Sequence, residues 1–154
     1  MGLVTERLAA AELLVPDPPA ALGAYLPAVR VGSLVFTAGQ LPLVEGTLLT
    51  SGLVGSEVTI DVAAAAARAC ALNALAVAST VCDLDDVTQA VKLVGYVASA
   101  PGFIDQAAVL DGASAVLLAA FGDVGRHARE AIGVASLPKG APVEVSLVLE
   151  LVGI

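Results

Sequence analysis

Basic residues are scarce in this chain, and acidic residues outnumber them. Its 154 residues include seven lysines and arginines against fifteen aspartates and glutamates, which gives a net charge of −8. Proteins that bind nucleic acid neutralise its phosphates with lysine and arginine, and this chain offers few of either. We therefore expect no nucleic acid partner.

Histidine occurs once and cysteine twice. The single histidine, His127, excludes a metal site built from several histidines, so we expect no metal. His127 itself is expected either to lie on the surface or to line a cleft. Cys70 and Cys82 fall on one predicted helix, where twelve residues separate them by about 18 Å, beyond the reach of a disulfide. We expect both cysteines to be small core residues.

Two common enzyme motifs are also missing. The glycine-rich segment 52–56 has neither the lysine nor the spacing of a phosphate-binding loop. No Gly-x-Ser-x-Gly, the nucleophile motif of many serine hydrolases, is present. The sequence thus gives no support to nucleotide binding.

Charge is low overall, and hydrophobic residues make up 58% of the chain, with a mean hydropathy of +0.91. Such values suit a membrane protein as well as a soluble one. The candidate span, residues 62–82, is mostly alanine and carries Arg68 near its middle and Asn73 beyond it. An arginine at the centre of a span costs about 2.5 to 3.5 kcal/mol, so we expect no membrane span.

The apolar excess is better explained by contact between subunits. A small soluble domain does not expose large apolar patches without associating, so we expect a homo-oligomer. Glu6, Arg7 and Glu12 interrupt the apolar residues near the N-terminus before a signal-peptide core of proper length can form. We therefore expect a cytoplasmic protein.

Hydrophobic periodicity predicts an α+β fold. Its element order places two long helices against one face of a sheet, and the opposite face needs a cover that the chain does not supply. Residues 1–19 are expected to form a helix and a proline-rich linker, and residues 20–154 a single domain. The predicted helices are 3–15, from Thr59 or Asp61 to about 81, and 103–121; the predicted strands are 28–31, 34–37, 47–50, 87–97, 131–135 and 143–151.

The residues with the clearest chemistry lie near the C-terminus. Arg129 precedes a β-type run, and Glu144 opens the last alternating strand after a Leu137-Pro138 turn. The two are thus expected on neighbouring elements. A guanidinium matches a carboxylate with two parallel hydrogen bonds, and a glutamate can take a proton from water. The alternatives are a surface ion pair for Arg129, with Glu130, Asp123 or another acid, and a solvated strand position for Glu144.

Several of these motifs together resemble the Rid/YjgF family, the reactive-intermediate imine deaminases, over residues 20–151. The matching pieces, in chain order, are Tyr25, Thr37-Ala38-Gly39-Gln40 followed by Pro42, Ala128-Arg129, Leu137-Pro138 and Val143-Glu144. The resemblance implies a chorismate-mutase-like mixed sheet with two helices on one face. It also implies a homotrimer with its sites in the clefts between subunits.

The resemblance further implies an activity and a set of site residues. Family members convert 2-imino or enamine acids to 2-keto acids and ammonia without a cofactor. Arg129 would hold the carboxylate of this small-molecule ligand, and Glu144 would position or activate water. The positions implied for substrate binding are Tyr25, Ala38, Gly39, Ser114 and Ala131. Tyr25 could instead be a core or interface aromatic residue.

Three of the site positions depart from the family pattern. Ala38 stands where the family has serine, Ala131 where it often has cysteine, and Ser114 where it has asparagine. Loss of the hydroxyl at Ala38 removes a polar contact to substrate. A non-catalytic protein that binds or senses a small carboxylate is therefore a second hypothesis, and an RNA-cleaving or RNA-binding protein, disfavoured by the charge, is a third.

Overall fold

A five-stranded mixed sheet forms the centre of the protein. The computed structural model describes residues 2–153. Its helices are α1 (Leu3–Ala10), α2 (Ile60–Ala78) and α3 (Gln106–Phe121), and its strands are β1 (Ala28–Val31), β2 (Leu34–Thr37), β3 (Leu43–Val44), β4 (Thr47–Leu48), β5 (Val87–Ala98), β6 (Ala128–Val134) and β7 (Val143–Leu151).

The strand order is β1-β2-β7-β5-β6, and β3 and β4 form a separate hairpin. Strands β5 and β6 are parallel and are joined through α3, while the other pairs in the main sheet are antiparallel. The predicted α+β fold with a mixed sheet is thus confirmed. The hairpin partner β3 is an element that the sequence did not predict.

Helices α2 and α3 pack against each other and against one face of the sheet. The threonine at the N-cap of α2, Thr59, accepts a hydrogen bond from the backbone N–H of Val62 at 3.3 Å. Small residues bring the layers close together: a Cβ at Gly112 of α3 would overlap the backbone of α2, and one at Gly95 of β5 would overlap Leu110 of α3. The predicted packing of two helices on one face is confirmed.

Helix α1 is shorter than the predicted 3–15 because the chain turns at Glu12. The N–H of Leu13 bonds to the carbonyl of Leu8 and that of Glu12 to Ala9, with Glu12 at φ 58°. These two bonds and the left-handed residue form a Schellman motif, which ends a helix. Val4 and Leu8 of α1 lie in the same core as the sheet.

Helix α2 ends at Ala78, three residues before the predicted end. The hydroxyls of Ser79 and Thr80 donate hydrogen bonds to the carbonyls of Ala76 and Val77 at 2.7 Å. In a longer helix these carbonyls would accept hydrogen bonds from backbone N–H groups instead. The prediction that Cys70 and Cys82 share one helix is therefore wrong, since Cys82 follows it. Both cysteines are free; Cys70 is buried, Cys82 is half-buried, and burial raises the pKa of each thiol.

Strand β5 contains an irregularity that shifts its side-chain alternation. Ala90 pairs with Leu149 and Lys92 with Val148, so Val91 is an extra residue in β5. Simple alternation along residues 87–97 predicts Val91 on the core face with Leu93; this prediction is wrong, because Ala90 is buried there and Val91 is exposed. Two other boundaries moved, since α3 begins at residue 106 and β6 starts three residues earlier than predicted, at residue 128.

The face of the sheet opposite α2 and α3 is uncovered in the single chain. It exposes apolar side chains on both edge strands and on β2, at Val29, Val31, Phe36 and Ile132. Strand pairing places all four on this face: Phe36 pairs with Val148 and Ile132 with Tyr96, while Val29 and Val31 pair with Phe36 and Leu34. We call this surface the open face.

Two helices, Ile60–Ala78 and Gln106–Gly125, have the length and composition of membrane spans, and 56% and 44% of their most apolar windows are buried inside the domain. A core helix of a soluble protein has the same properties. These helices alone do not indicate a membrane protein.

Candidate functional site

Arg129 lies on the helix side of the sheet. On the neighbouring strand β5 its register partner is Leu93, which is buried under the helices. Residues that pair in this way have their side chains on the same face of the sheet. Arg129 Nη1 donates to Asp111 Oδ1 at 2.8 Å and to Ser114 Oγ at 3.1 Å, both on α3. The ion-pair alternative for Arg129 is thus met by Asp111, whose side chain is 73% exposed. Glu130 bonds to Lys92 instead.

Ser114 connects Arg129 to the single histidine. The hydroxyl oxygen of Ser114 is 3.0 Å from Nε2 of His127, and Nδ1 of His127 is 2.6 Å from the carbonyl oxygen of Gly125. His127 is half-buried, so it is not a plain surface residue. Through Ser114 it is also linked to Arg129. We call Asp111, Ser114, His127, Arg129 and the exposed Ala131 the arginine surface.

Glu144 lies on the open face of the sheet. It pairs with Tyr96 of β5, whose neighbours in sequence, Gly95 and Val97, are both buried on the helix side. The carboxylate is half-buried, and burial raises its pKa above the usual range. Within residues 2–153 no hydrogen bond or opposite charge contributes to this shift. A carboxylate in this state is a stronger proton acceptor than a solvated one.

Gly39 makes room for the Glu144 carboxylate. A Cβ at position 39 would overlap Glu144 Oε1, so only glycine fits without displacing the glutamate. The segment is fixed by Gln40, which exchanges two backbone hydrogen bonds with Val145 at 2.8 and 3.0 Å. Thr37 accepts a further bond from the N–H of Leu147 at 2.9 Å. The glycine at position 39 therefore lets the backbone lie directly against the Glu144 side chain.

Tyr25 and Ala38 flank this segment. Tyr25 is 49% exposed and lines a shallow pocket together with Gly39. Its hydroxyl accepts a hydrogen bond from the N–H of Leu22 at 3.2 Å, so in the single chain it is not a core aromatic residue. Ala38 is tied to Pro27 through its backbone N–H. We call Tyr25, Ala38, Gly39 and Glu144 the glutamate surface.

The arginine and glutamate surfaces are separate within one chain. Strand β5 lies between β6 and β7, so the expectation that Arg129 and Glu144 occupy neighbouring elements is wrong: the elements follow one another in sequence but do not pair. Their strands are two spacings apart, about 10 Å, and the two residues are offset by three residues along β5. Their side chains point to opposite faces. One chain alone cannot close both groups on one small ligand.

Asp111 was not identified from the sequence, and the sequence leaves His127 open between a surface position and a position lining a cleft. Asp111 and Ser114 are three residues apart on α3, a spacing that places both on one side of a helix. That spacing was the available signal for Asp111. The sequence holds no comparable signal for His127, because its contact with Ser114 depends on the turn that ends α3.

Residues 2–153 contain no group of three histidine, cysteine, aspartate or glutamate side chains arranged to hold a metal ion. The polar groups of the two surfaces are instead a cationic fork and a single carboxylate. Such groups can bind a small carboxylate and move a proton.

Known proteins similar to this chain span nearly its whole length. The family model "YjgF/chorismate_mutase-like, putative endoribonuclease" matches residues 5–151, which includes most of α1. Protein TCP17 of Trypanosoma cruzi is 40% identical over 152 residues, covering 97% of this chain and 95% of that protein. RutC family protein y4sK of Sinorhizobium fredii is 31% identical over 135 residues, covering 88% and 93%.

A solved structure shows the same fold in detail. A crystal structure from Shewanella oneidensis, described as that of a "putative endoribonuclease", superposes with a TM-score of 0.92 at 38% identity. The superposition covers 96% of this chain and 99% of that one.

Proposed function

Because this chain belongs to the YjgF/chorismate-mutase-like family, which includes the Rid proteins, we propose that it is a cofactor-free deaminase of 2-imino or enamine acids. Its products would be 2-keto acids and ammonia. The observation that carries the proposal is that the chain has both an arginine held by hydrogen bonds, Arg129, and a half-buried carboxylate with a raised pKa, Glu144. The first suits the substrate carboxylate and the second suits the attacking water.

We further propose that the working site forms between subunits of a homotrimer. The arginine surface and the glutamate surface face different directions, so they can meet at one ligand only if they come from two copies. A contact between two different surfaces of identical chains leads to a ring or a filament, and a ring of three closes with a site at each contact. The exposed apolar residues of the open face would be buried in that contact and would stabilise it.

The reaction divides between the two surfaces. Arg129 of one subunit binds the carboxylate and so orients the neighbouring C=N bond. Glu144 of the next subunit takes a proton from water as its oxygen bonds to the imine carbon, and the nitrogen receives a proton. Collapse of the resulting amino alcohol breaks the C–N bond, forms the keto group and releases ammonia. The water supplies the keto oxygen, and no oxidant or reductant is consumed.

A carboxylate binder without catalysis is the second candidate. Its support is that Ala38 and Ala131 bring neither hydroxyl nor thiol to the proposed cleft, while the arginine remains in place. Such a protein would bind keto acids through Arg129 and leave imine hydrolysis at its spontaneous rate. The two candidates therefore differ in turnover and agree in binding.

The deciding experiment measures ammonia release from 2-imino acids that an amino-acid oxidase generates in the assay. The deaminase proposal predicts release faster than spontaneous hydrolysis for at least one of several side chains. If the rate of ammonia release is unchanged for all of them while 2-oxobutanoate still binds, the deaminase proposal fails and the non-catalytic carboxylate binder is the better account. Light scattering should give about three times 15.2 kDa, and a monomer at micromolar concentration would remove the proposed cleft.

The descriptions of the matched family and of the Shewanella protein both contain the word endoribonuclease. The net charge of this chain is −8. An acidic surface repels phosphates, so we expect no RNA binding at physiological salt. Fluorescence anisotropy with a labelled single-stranded RNA tests this expectation, using the same protein samples as the deaminase assay.

A further inference from the structure

The hydrogen bonds of His127 have only one direction that fits its partners. The Gly125 carbonyl can accept but not donate, so Nδ1 of His127 must carry the proton of that 2.6 Å bond. In the neutral ring Nε2 is then an acceptor, and it takes the hydroxyl proton of Ser114. With its hydrogen committed, the Ser114 oxygen presents its lone pairs to Arg129 Nη1.

This arrangement leaves one edge of the guanidinium available. Nη1 has two N–H groups, and the bonds to Asp111 and Ser114 occupy both. Among residues 2–153, the Nε–H and the two Nη2–H groups of Arg129 have no hydrogen-bond partner. Nε–H and one Nη2–H point the same way, which is the fork that binds a carboxylate through two parallel bonds.

Ser114 and Asp111 do not contribute equally to this orientation. The Asp111 side chain is largely exposed, so its ion pair is screened by solvent and holds the arginine weakly. Ser114 and His127 are half-buried, and the histidine fixes the rotation of a hydroxyl that could otherwise turn away from the arginine. The orientation of the fork therefore depends mainly on the serine and the histidine.

We propose that Ser114 and His127 are positioning residues that hold Arg129 with its Nε and Nη2 edge toward the ligand carboxylate. This inference rests on the proposed function, in which Arg129 is the carboxylate anchor. It assigns a role to the histidine that the deaminase proposal does not use. It also gives Ser114 an indirect role, through Arg129, in place of direct contact with substrate.

The first experiment needs no ligand. Because the chain has one histidine, a long-range nitrogen–proton NMR spectrum of the imidazole contains a single ring, and it reports the tautomer directly. At a pH where the ring is neutral, the proposal predicts the proton on Nδ1. In Ser114→Ala the donor to Nε2 is lost, and the population of the other tautomer should rise. A wild-type ring protonated on Nε2 would overturn the proposal.

The second experiment is a double-mutant cycle on 2-oxobutanoate binding, measured by calorimetry. Ser114→Ala and His127→Phe should each weaken binding about tenfold, and the double variant should lose about tenfold, not a hundredfold, because both changes interrupt one chain of bonds. Ser114→Thr keeps the hydroxyl and should bind as wild type does. Asp123→Asn, in the turn that precedes His127, is the matched control and should have no effect.

The turnover assay adds a readout that a merely structural role would not change. A misaligned fork should raise KM for the imino acid by a larger factor than it lowers kcat, because Glu144 is untouched. Equal loss of kcat and kcat/KM in His127→Phe would contradict a positioning role. If His127→Phe does not fold as a trimer, the tautomer and the Ser114 variants still decide the question.

The two proposals fail in different ways. Wild-type protein that binds no keto acid, or Arg129→Lys that binds as well as wild type, would overturn the proposed function. Wild-type binding that is lost in Arg129→Lys but unchanged in both Ser114→Ala and His127→Phe would overturn only the positioning role.

Discussion

The arginine and glutamate surfaces hold their charged groups by opposite means. On the arginine surface, Asp111 and Ser114 of α3 accept two hydrogen bonds from Arg129 Nη1, and His127 in the turn before β6 contacts Ser114. On the glutamate surface, the backbone of Gly39 approaches Glu144 closely, and no bond offsets the burial that raises its pKa. In the proposed scheme, the group that binds the substrate is thus fixed by partners, whereas the group that accepts a proton has its lone pairs free.

The largest effect is expected from Glu144→Gln, which keeps the shape but cannot accept a proton from water. Loss of general-base assistance should lower kcat about 10² to 10⁴-fold while 2-oxobutanoate still binds. Glu150→Gln is the matched control, because Glu150 lies on the same strand and the same face but at its far end. Equal activity in wild type and Glu144→Gln would remove the role given to Glu144.

The pH dependence sharpens the same prediction. Only the ionised carboxylate accepts a proton, so the wild-type rate should rise as the pH passes upward through the raised pKa of Glu144. Stability should change in the opposite sense. An acid with a raised folded pKa makes folding less favourable as pH rises from its usual value of 4.5 through that pKa. The melting temperature of Glu144→Gln relative to wild type should therefore increase over this range.

Gly39→Ala tests the close approach that defines the glutamate surface. The added methyl would overlap the Glu144 carboxylate, which must then move away from its place. A misplacement of about 1 Å can cost about a hundredfold in rate, so we expect a loss of that size in kcat. Gly46→Ala, at a turn where a Cβ meets no atom within 4 Å, controls for general strain, although its φ of 80° lowers stability. A Gly39→Ala enzyme with normal kcat would show that Glu144 needs no fixed place.

Arg129→Lys should weaken keto-acid binding about tenfold to a hundredfold, because lysine keeps the charge but lacks the planar fork. The fold and the trimer should be unchanged, since the side chain lies at an exposed edge strand. Arg126→Lys is the control: this neighbouring arginine is 80% exposed and makes only a 3.9 Å ion pair. Calorimetry with 2-oxobutanoate gives both affinities. Tight binding by the lysine variant would show that another group is the anchor.

The smallest effect is expected from Asp111→Asn on the arginine surface. The ion pair with Arg129 is largely exposed, and such pairs contribute about 0 to 1 kcal/mol. The amide can still accept a hydrogen bond from Nη1, so affinity should change less than fivefold, by about 1 kcal/mol at most. Calorimetry and thermal melting measure the two effects. A loss as large as that of Ser114→Ala would place Asp111 beside the serine as a main support of the fork.

Sequence patterns were sufficient for elements whose physics is local. The hairpin of β1 and β2 and the bounds of β7 were predicted correctly, because Gly32 and strict alternation in 143–151 specify them. The two helices on one face of a sheet followed from the order of the elements, and the mixed sheet was implied by the family resemblance. The extra residue in β5 and the end of α1 at Glu12 were missed, because each depends on backbone bonds that composition does not reveal.

The candidate site was predictable only as a set of residues. Arg129 and Glu144 were singled out from the chemistry of the C-terminal segment, and the family resemblance added Gly39 and Tyr25 as site positions. Their division between two surfaces was not predicted, because it follows from the insertion of β5 between β6 and β7. The link from Ser114 to His127 likewise depends on how the chain leaves α3, which is a tertiary property.

The claim that one site needs two copies of the chain has a direct test in mixed oligomers. At substrate concentrations well below KM, Arg129→Lys and Glu144→Gln subunits each have little activity in the proposed scheme, but a mixed trimer contains clefts in which an intact Arg129 meets an intact Glu144. Random mixing at equal amounts should restore about one quarter of wild-type turnover, the fraction of such clefts. Unfolding and refolding the two variants together, with each refolded alone as control, measures it. Restoration near one quarter is the predicted result, and activity no higher than that of the separate variants would contradict a site shared between subunits.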